Sequence, residues 1–139
     1  MGNSYVVLDA DGIIAQVNKA DPHHKKAITL TLMLAAQGIE FLFPTTAIAE
    51  AITVLKFRKK DNRVVIALID SIQTWKLTIA DITHKTTRQT IQFFDPKSSK
   101  RNTFFDAIVV AIARKHNARA VFSFDGWYRK KGFKLVEDL

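Results

Sequence analysis

The sequence predicts an α/β fold, a mainly parallel sheet covered by helices on both faces, and three observations carry that expectation. Short strand-like apolar runs alternate along the chain with longer stretches of helical periodicity. The runs are continuously apolar rather than alternating, as strands buried on both faces require. With 139 residues, 47% of them hydrophobic, the chain has the size of one domain and can bury a substantial core. It shows no internal repeat, low-complexity tract or linker, so residues 1–139 are expected to form a single domain.

The elements follow in order. YVVL, residues 5–8, ends abruptly at acids and reads as a buried strand. Asp21-Pro22 punctuates the chain before an apolar-periodic helix over 24–37, which Gly38 stops. EFLF, residues 40–43, is a second strand ended by Pro44, and Thr45 or Thr46 is expected to cap the helix AIAEAITVLKF. A further helix covers 62–74, KLTIAD is a strand, 84–94 a helix and DPKSSKRN a loop. FFDAIVVAIA begins a helix capped by Asn102 or Thr103. AVFSF is another buried strand, a short helix starts near Gly126, and FKLV is expected to close the chain as an edge strand.

Composition removes several classes of function. The absence of cysteine excludes a disulfide scaffold and a thiolate metal site. No run approaches the roughly 18 apolar residues of a membrane span, and MGNSYVVLDADG has no basic segment before an apolar signal core. A soluble cytoplasmic protein is expected. Lys and Arg outnumber Asp and Glu by 21 to 13, a formal charge of +8, which points to a polyanionic partner with nucleic acid first. Lys56, Arg58, Lys59 and Lys60 close a helix, where cations are favoured anyway. Lys97, Lys100 and Arg101 lie in the loop just before the FFDAIVVAIA helix and are candidate phosphate contacts.

The placement of acids is more specific. Open parallel sheets bind ligands outside the carboxyl ends of their strands, and Asp9 directly follows YVVL while Asp125 directly follows AVFSF. Asp106 lies in the first turn of the helix leading into AVFSF, so it falls on the same side. Glu50 is flanked at helical spacing by Thr46, Ala47, Thr53 and Val54, a small and apolar face. Each acid alone has an ordinary explanation as a cap, a turn residue or a surface charge. Together they do not, because two unit charges about 5 Å apart repel by roughly 3 kcal/mol at an effective dielectric near 20. A cation among them resolves the repulsion. Oxygen ligands without cysteine or a paired histidine spacing select Mg²⁺ or Mn²⁺ over Zn²⁺; His23 and His24 are adjacent and read as helix-start residues. Such an ion beside a basic surface is suited to hydrolysing a phosphodiester.

VVLDAD, PTTAIAEAITVL, NTFFDAIVVAIARKHNA and VFSFDGWYRKKGF together resemble the PIN-domain ribonucleases, in particular the VapC-type toxins of toxin–antitoxin systems, over nearly the whole chain. The resemblance implies a three-layer α/β/α sandwich, Mg²⁺- or Mn²⁺-dependent cleavage of single-stranded RNA, frequent homodimers, and inhibition by a cognate antitoxin. It assigns the family's four acidic positions to Asp9, Glu50, Asp106 and Asp125, and its small hydroxylic position to Ser123. On that basis Asp9, Asp106 and Asp125 bind metal directly or through water, and Glu50 completes the shell or polarises the attacking water. Ser123 and Thr103 steady these groups, and Lys97, Lys100, Arg101 and Arg129 bind RNA phosphates. Asp11 departs from the Asn or Ser often found two places after the first acid; it either adds a ligand or caps the next helix, and the cap is preferred.

Two rival readings remain. LDADG also matches the opening of haloacid-dehalogenase-like phosphatases, which would make Asp9 a nucleophile and Asp11 a general acid but leave Glu50 and Asp106 without a role. A non-catalytic RNA-binding module would use stacking aromatics. For that role Trp127 and Tyr128 stand out as candidate exposed platforms, since many of the ten phenylalanines sit in runs that read as core.

Overall fold

The computed structural model describes residues 4–98 and 102–139; Lys100 and Arg101 lie outside the described residues. Strand β1 (Tyr5–Leu8) leads into α1 (Ala10–Val17) and α2 (His24–Ala36), then β2 (Glu40–Pro44), α3 (Thr45–Phe57) and α4 (Asn62–Gln73). Strand β3 (Thr78–Ala80), α5 (His84–Thr90), α6 (Phe104–Lys115), β4 (Ala120–Phe122) and α7 (Trp127–Lys130) complete the series. All strand pairs are parallel, in the order β3-β2-β1-β4.

Alternation along the central strands builds the two interiors of a three-layer sandwich. Val6 and Leu8 of β1 and Phe122 of β4 face one way, against Ile13, Leu34, Ile48 and Leu55 of α1 to α3. Val7, Leu42 and Val121 face the other way, against Ile108 and Ile112 of α6, Tyr128 of α7 and Leu135. The run AIVVAIA in α6 is buried at every position, because one side of it packs on the sheet and the other is covered by neighbouring helices. Among the described residues no helix is long and apolar enough to cross a membrane.

The structure corrects four local expectations. The helix expected over 84–94 stops at Thr90 and tightens into a 3-10 turn, Ile91–Phe93. Pro44, and neither threonine, occupies the N-cap of α3. Parallel pairing of β2 with β3 continues to Pro44 opposite Ala80, and the Thr45 hydroxyl donates to the Ala80 carbonyl instead of capping. FKLV forms one parallel bridge, Leu135 to Val121, rather than a strand. The Leu135 amide is taken by the Asp138 carboxylate at 2.9 Å, which turns the chain into a 3-10 turn, Val136–Asp138. Finally, the N-cap of α1 is Asp9 and not Asp11, which falls in the first turn.

Gly12 is required by the close approach of α1 to β4. A Cβ there would lie 2.0 Å from the Phe122 carbonyl oxygen, a backbone atom that cannot swing aside. Gly12→Ala is therefore expected to cost at least about 2 kcal/mol through overpacking. Urea denaturation measures the loss, and an unchanged midpoint would contradict this packing.

Candidate active site

Because β1 and β4 are neighbours, their carboxyl ends place Asp9 and Ser123 side by side, with the Asp9 amide donating to the Phe122 carbonyl at 3.4 Å. Asp9 is 4% exposed, and its carboxylate accepts from three donors. Its Oδ1 accepts from the Gly12 amide at 2.8 Å, which starts α1. Its Oδ2 accepts from Ser123 Oγ at 2.6 Å and lies 3.0 Å from the Tyr128 hydroxyl. Ser123 Oγ in turn accepts the Asp125 amide at 3.1 Å, so one hydroxyl couples two of the sequence-predicted acids.

Tyr128 couples Asp9 to a third, since its hydroxyl is also 3.2 Å from Asp106 Oδ1. The other oxygen of Asp106 accepts the Thr103 amide at 2.9 Å across the first turn of α6. Capping and site membership are thus both true of Asp106, one for each oxygen. Asp125 Oδ1 accepts the Trp127 amide at 2.9 Å, and Oδ2 accepts from Asn102 at 3.1 Å.

A buried carboxylate without a cationic partner is held toward its protonated form. Burial raises the Asp9 pKa from 3.8 to about 7, against the lowering effect of Ser123, with Asp11 adding to the rise. Burial also raises Asp11, and the charges of Asp106 and Asp125 raise it further. Glu50, half-buried on α3, is raised by burial and then by Asp106 and Asp11, with Arg58 opposing. The Tyr128 hydroxyl is pushed well above its ordinary value by burial and by Asp9 and Asp106. Its single proton cannot serve two carboxylates at once. Asp9 Oδ2 and Asp106 Oδ1 share that one donor.

Asp11, Glu50, Asp106 and Asp125 therefore share one negative field beside the buried Asp9, drawn from four separate segments of the chain. Among the described residues, no three acids or histidines are gathered closely enough to form a ready-made ion cage. The donor chemistry nevertheless suits a hard divalent cation, being carboxylate oxygen throughout. The histidines do other work: His24 Nδ1 bonds the Ala15 carbonyl at 2.7 Å, and His23 stacks on Phe124 with ring centroids 4.3 Å apart.

Of the remaining sequence-predicted residues, Thr103 holds Asp106 through its backbone amide. Lys97 is exposed in its loop. Arg129 is engaged by Asp138 through two bonds of 2.9 and 2.8 Å and by Glu137 at 3.4 Å. Tyr128, read from sequence as a candidate exposed platform, is fully buried. It is the site residue that sequence reasoning missed, for a tyrosine beside a tryptophan carries no signal of two carboxylate partners. The burial of Asp9 under three donors counts against the phosphatase reading, in which that carboxylate itself attacks phosphorus.

The PIN domain family model matches residues 6–134 of the chain. Among solved structures, the chain is similar to the Mycobacterium tuberculosis toxin VapC20, a sarcin–ricin loop cleaving toxin, at 21% identity and a TM-score of 0.78. That likeness covers 92% of this chain and 95% of VapC20, and it establishes the shared fold. No curated protein matches the sequence.

The Asp9 pKa fixes a pH dependence. The folded state keeps the Asp9 proton up to about pH 7 while the unfolded chain releases it near 3.8. The group's contribution to stability is accordingly full below that lower value and is lost as pH rises toward neutrality. In EDTA the urea midpoint should fall between pH 5 and pH 7.5, and Asp9→Asn should flatten that slope. A wild-type slope unchanged in Asp9→Asn would assign the titration elsewhere.

Proposed function

The chain belongs to the PIN domain family, and from that premise we propose that it is a divalent-cation-dependent endoribonuclease cleaving single-stranded regions of RNA, the toxin of a toxin–antitoxin pair. The observation that carries this reading is the shared field of Asp11, Glu50, Asp106 and Asp125, anchored through Ser123 and Tyr128 to Asp9, on a chain of net charge +8. The RNA substrate and the toxin role are supported by the fold it shares with a toxin that cleaves the sarcin–ricin loop.

When bound, Mg²⁺ or Mn²⁺ supplies neutralisation of the phosphoryl oxygens and a lowered pKa for water. Asp9, Asp106 and Asp125 hold the ion directly or through water, with Asp11 adding its charge. Glu50 completes the set or receives the proton of the attacking water, and burial with the charges of Asp106 and Asp11 raises its affinity for that proton. Ser123 keeps Asp9 and Asp125 in register, and the Thr103 amide keeps Asp106 turned toward Tyr128. Lys97, Lys100 and Arg101 take the flanking phosphates as charge contacts. Arg129 joins them as a further charge contact while Asp138 holds its Nε and one terminal nitrogen. The protein acts in the cytoplasm as a homodimer, and its cognate antitoxin covers the acids.

Purified protein should cleave unstructured RNA with Mg²⁺ or Mn²⁺ and not with EDTA. Asp106→Asn should lower kcat/KM by about a hundredfold or more, and Ser123→Ala by about 10- to 100-fold. Cleavage that survives EDTA, or that Asp106→Asn leaves intact, would overturn the assignment.

A further inference from the structure

A groove of about 370 Å³ opens beside Glu50, lined by Glu50, Thr53, Val54, Phe57 and Arg58 of α3 and its end and by Phe105 of α6. Phe57 and Phe105 are 69% and 45% exposed, although both lie in runs that the sequence presents as core. Phe105 immediately precedes Asp106. Phe57 lies two helical turns from Glu50 on the same stripe of α3, about 10 Å along the axis. The groove is therefore continuous with the acid field at one end.

At its other end it meets cations. Lys56, Arg58, Lys59 and Lys60 are all exposed around Phe57, and Lys56 Nζ lies 5.6 Å from the centre of that ring. Isolated exposed apolar side chains need no explanation, but two phenylalanines in one groove, between carboxylates and a cationic rim, do. The core of a protein–protein interface is depleted in charge, which argues against an apolar protein surface as the occupant. Phosphates are repelled from the Glu50 end and attracted to the rim of Lys56 to Lys60. A strand that follows both forces turns a base toward the rings and its backbone toward the lysines, the combination by which proteins bind single strands.

We propose that this groove is a base-stacking subsite that seats one unpaired nucleobase of the RNA substrate against Phe57 and Phe105, beside the phosphodiester presented to the acids. The proposal rests on the ribonuclease reading and adds a reason for single-strand selectivity. A base already stacked and paired in a duplex has no free face to offer these rings.

The test is equilibrium binding in EDTA, where no cleavage competes, of two labelled strands of equal length: an unstructured oligoribonucleotide and an abasic ribose-phosphate strand. The wild type should prefer the base-bearing strand about tenfold, or about 1.4 kcal/mol. A Phe57→Tyr, Phe105→Tyr double variant keeps the rings and should keep that preference. A Phe57→Leu, Phe105→Leu double variant keeps apolar bulk without a ring face and should bind both strands equally, at the abasic level. Equal binding of the two strands by the wild type would overturn the subsite, as would full preference in the leucine variant. A leucine variant that keeps the preference but changes oligomeric state on sedimentation would reassign the groove to contact with a second copy. Cleavage that needs the cation and Asp106 stands whichever way these strands bind, so failure of the subsite is separable from failure of the nuclease.

Discussion

The arrangement depends on one constraint, that the Asp9 carboxylate is buried and must be satisfied by donors. Each donor comes from a different element: Gly12 from α1, Ser123 from the end of β4 and Tyr128 from α7. Satisfying Asp9 therefore fixes where the first helix starts, where the last strand ends and how the last helix docks. An unmet buried carboxylate is far more costly than any one of these bonds is favourable, so they hold as a set. The same constraint explains Gly12, whose amide reaches Asp9 only because no Cβ keeps α1 away from Phe122. It also carries order outward, since Ser123 and Tyr128 each use a second bond to place another acid, Asp125 and Asp106.

A parallel sheet supplies the reason that these acids meet at all. Every strand carboxyl end lies at one edge, and the segments leaving β1, β2 and β4 carry Asp9, Glu50 and Asp125, while α6 enters from the same edge with Asp106 near its start. Burial, and after it the charges of neighbouring acids, raises the proton affinity of Asp11 and Glu50. The fold resists the repulsion between these charges at Asp9, Asp106 and Asp125, whose carboxylates are each tied to a backbone amide. The site is thus electrostatically strained but geometrically fixed, the condition in which a divalent cation has most to neutralise.

The strands and most helices were legible because each rests on a local signal, an uninterrupted apolar run or a helical period, and the meeting of Asp9 with Asp125 was legible because each stands where such a run ends. What escaped was set by tertiary contact. Asp9 and Asp11 are equally good cap residues locally, and only the pairing of β1 with β4 selects Asp9. FKLV has strand propensity, but Asp138 captures the amide that would have extended the ladder. Tyr128 and Phe57 mislead in opposite directions. The first has a polar tip and is buried because two carboxylates share its hydroxyl; the second continues an apolar helix yet overhangs its end, among lysines. The sequence shows what a residue prefers, not which neighbour arrives to meet or refuse that preference.

The chain's end shows how far the Asp9 constraint reaches. Tyr128 can serve Asp9 only if α7, a single turn, is held against β4, and four residues cannot hold themselves. The tail does so in stages. Gly132 turns the chain with a positive φ, the Phe133 amide returns to the Tyr128 carbonyl, and Leu135 is buried against Val121. Asp138 then clamps Arg129 in a bidentate pair, which holds its carboxyl near 2, while Glu137 reaches both Arg129 and Lys26 of α2. These ion pairs are exposed and individually weak. Their effect is positional: they join α7 to a helix on the opposite face of the sheet and close the β4 edge between them. The hydroxyl that bridges Asp9 and Asp106 is in this way seated by the last dozen residues of the chain, none of which carries an acid of the site.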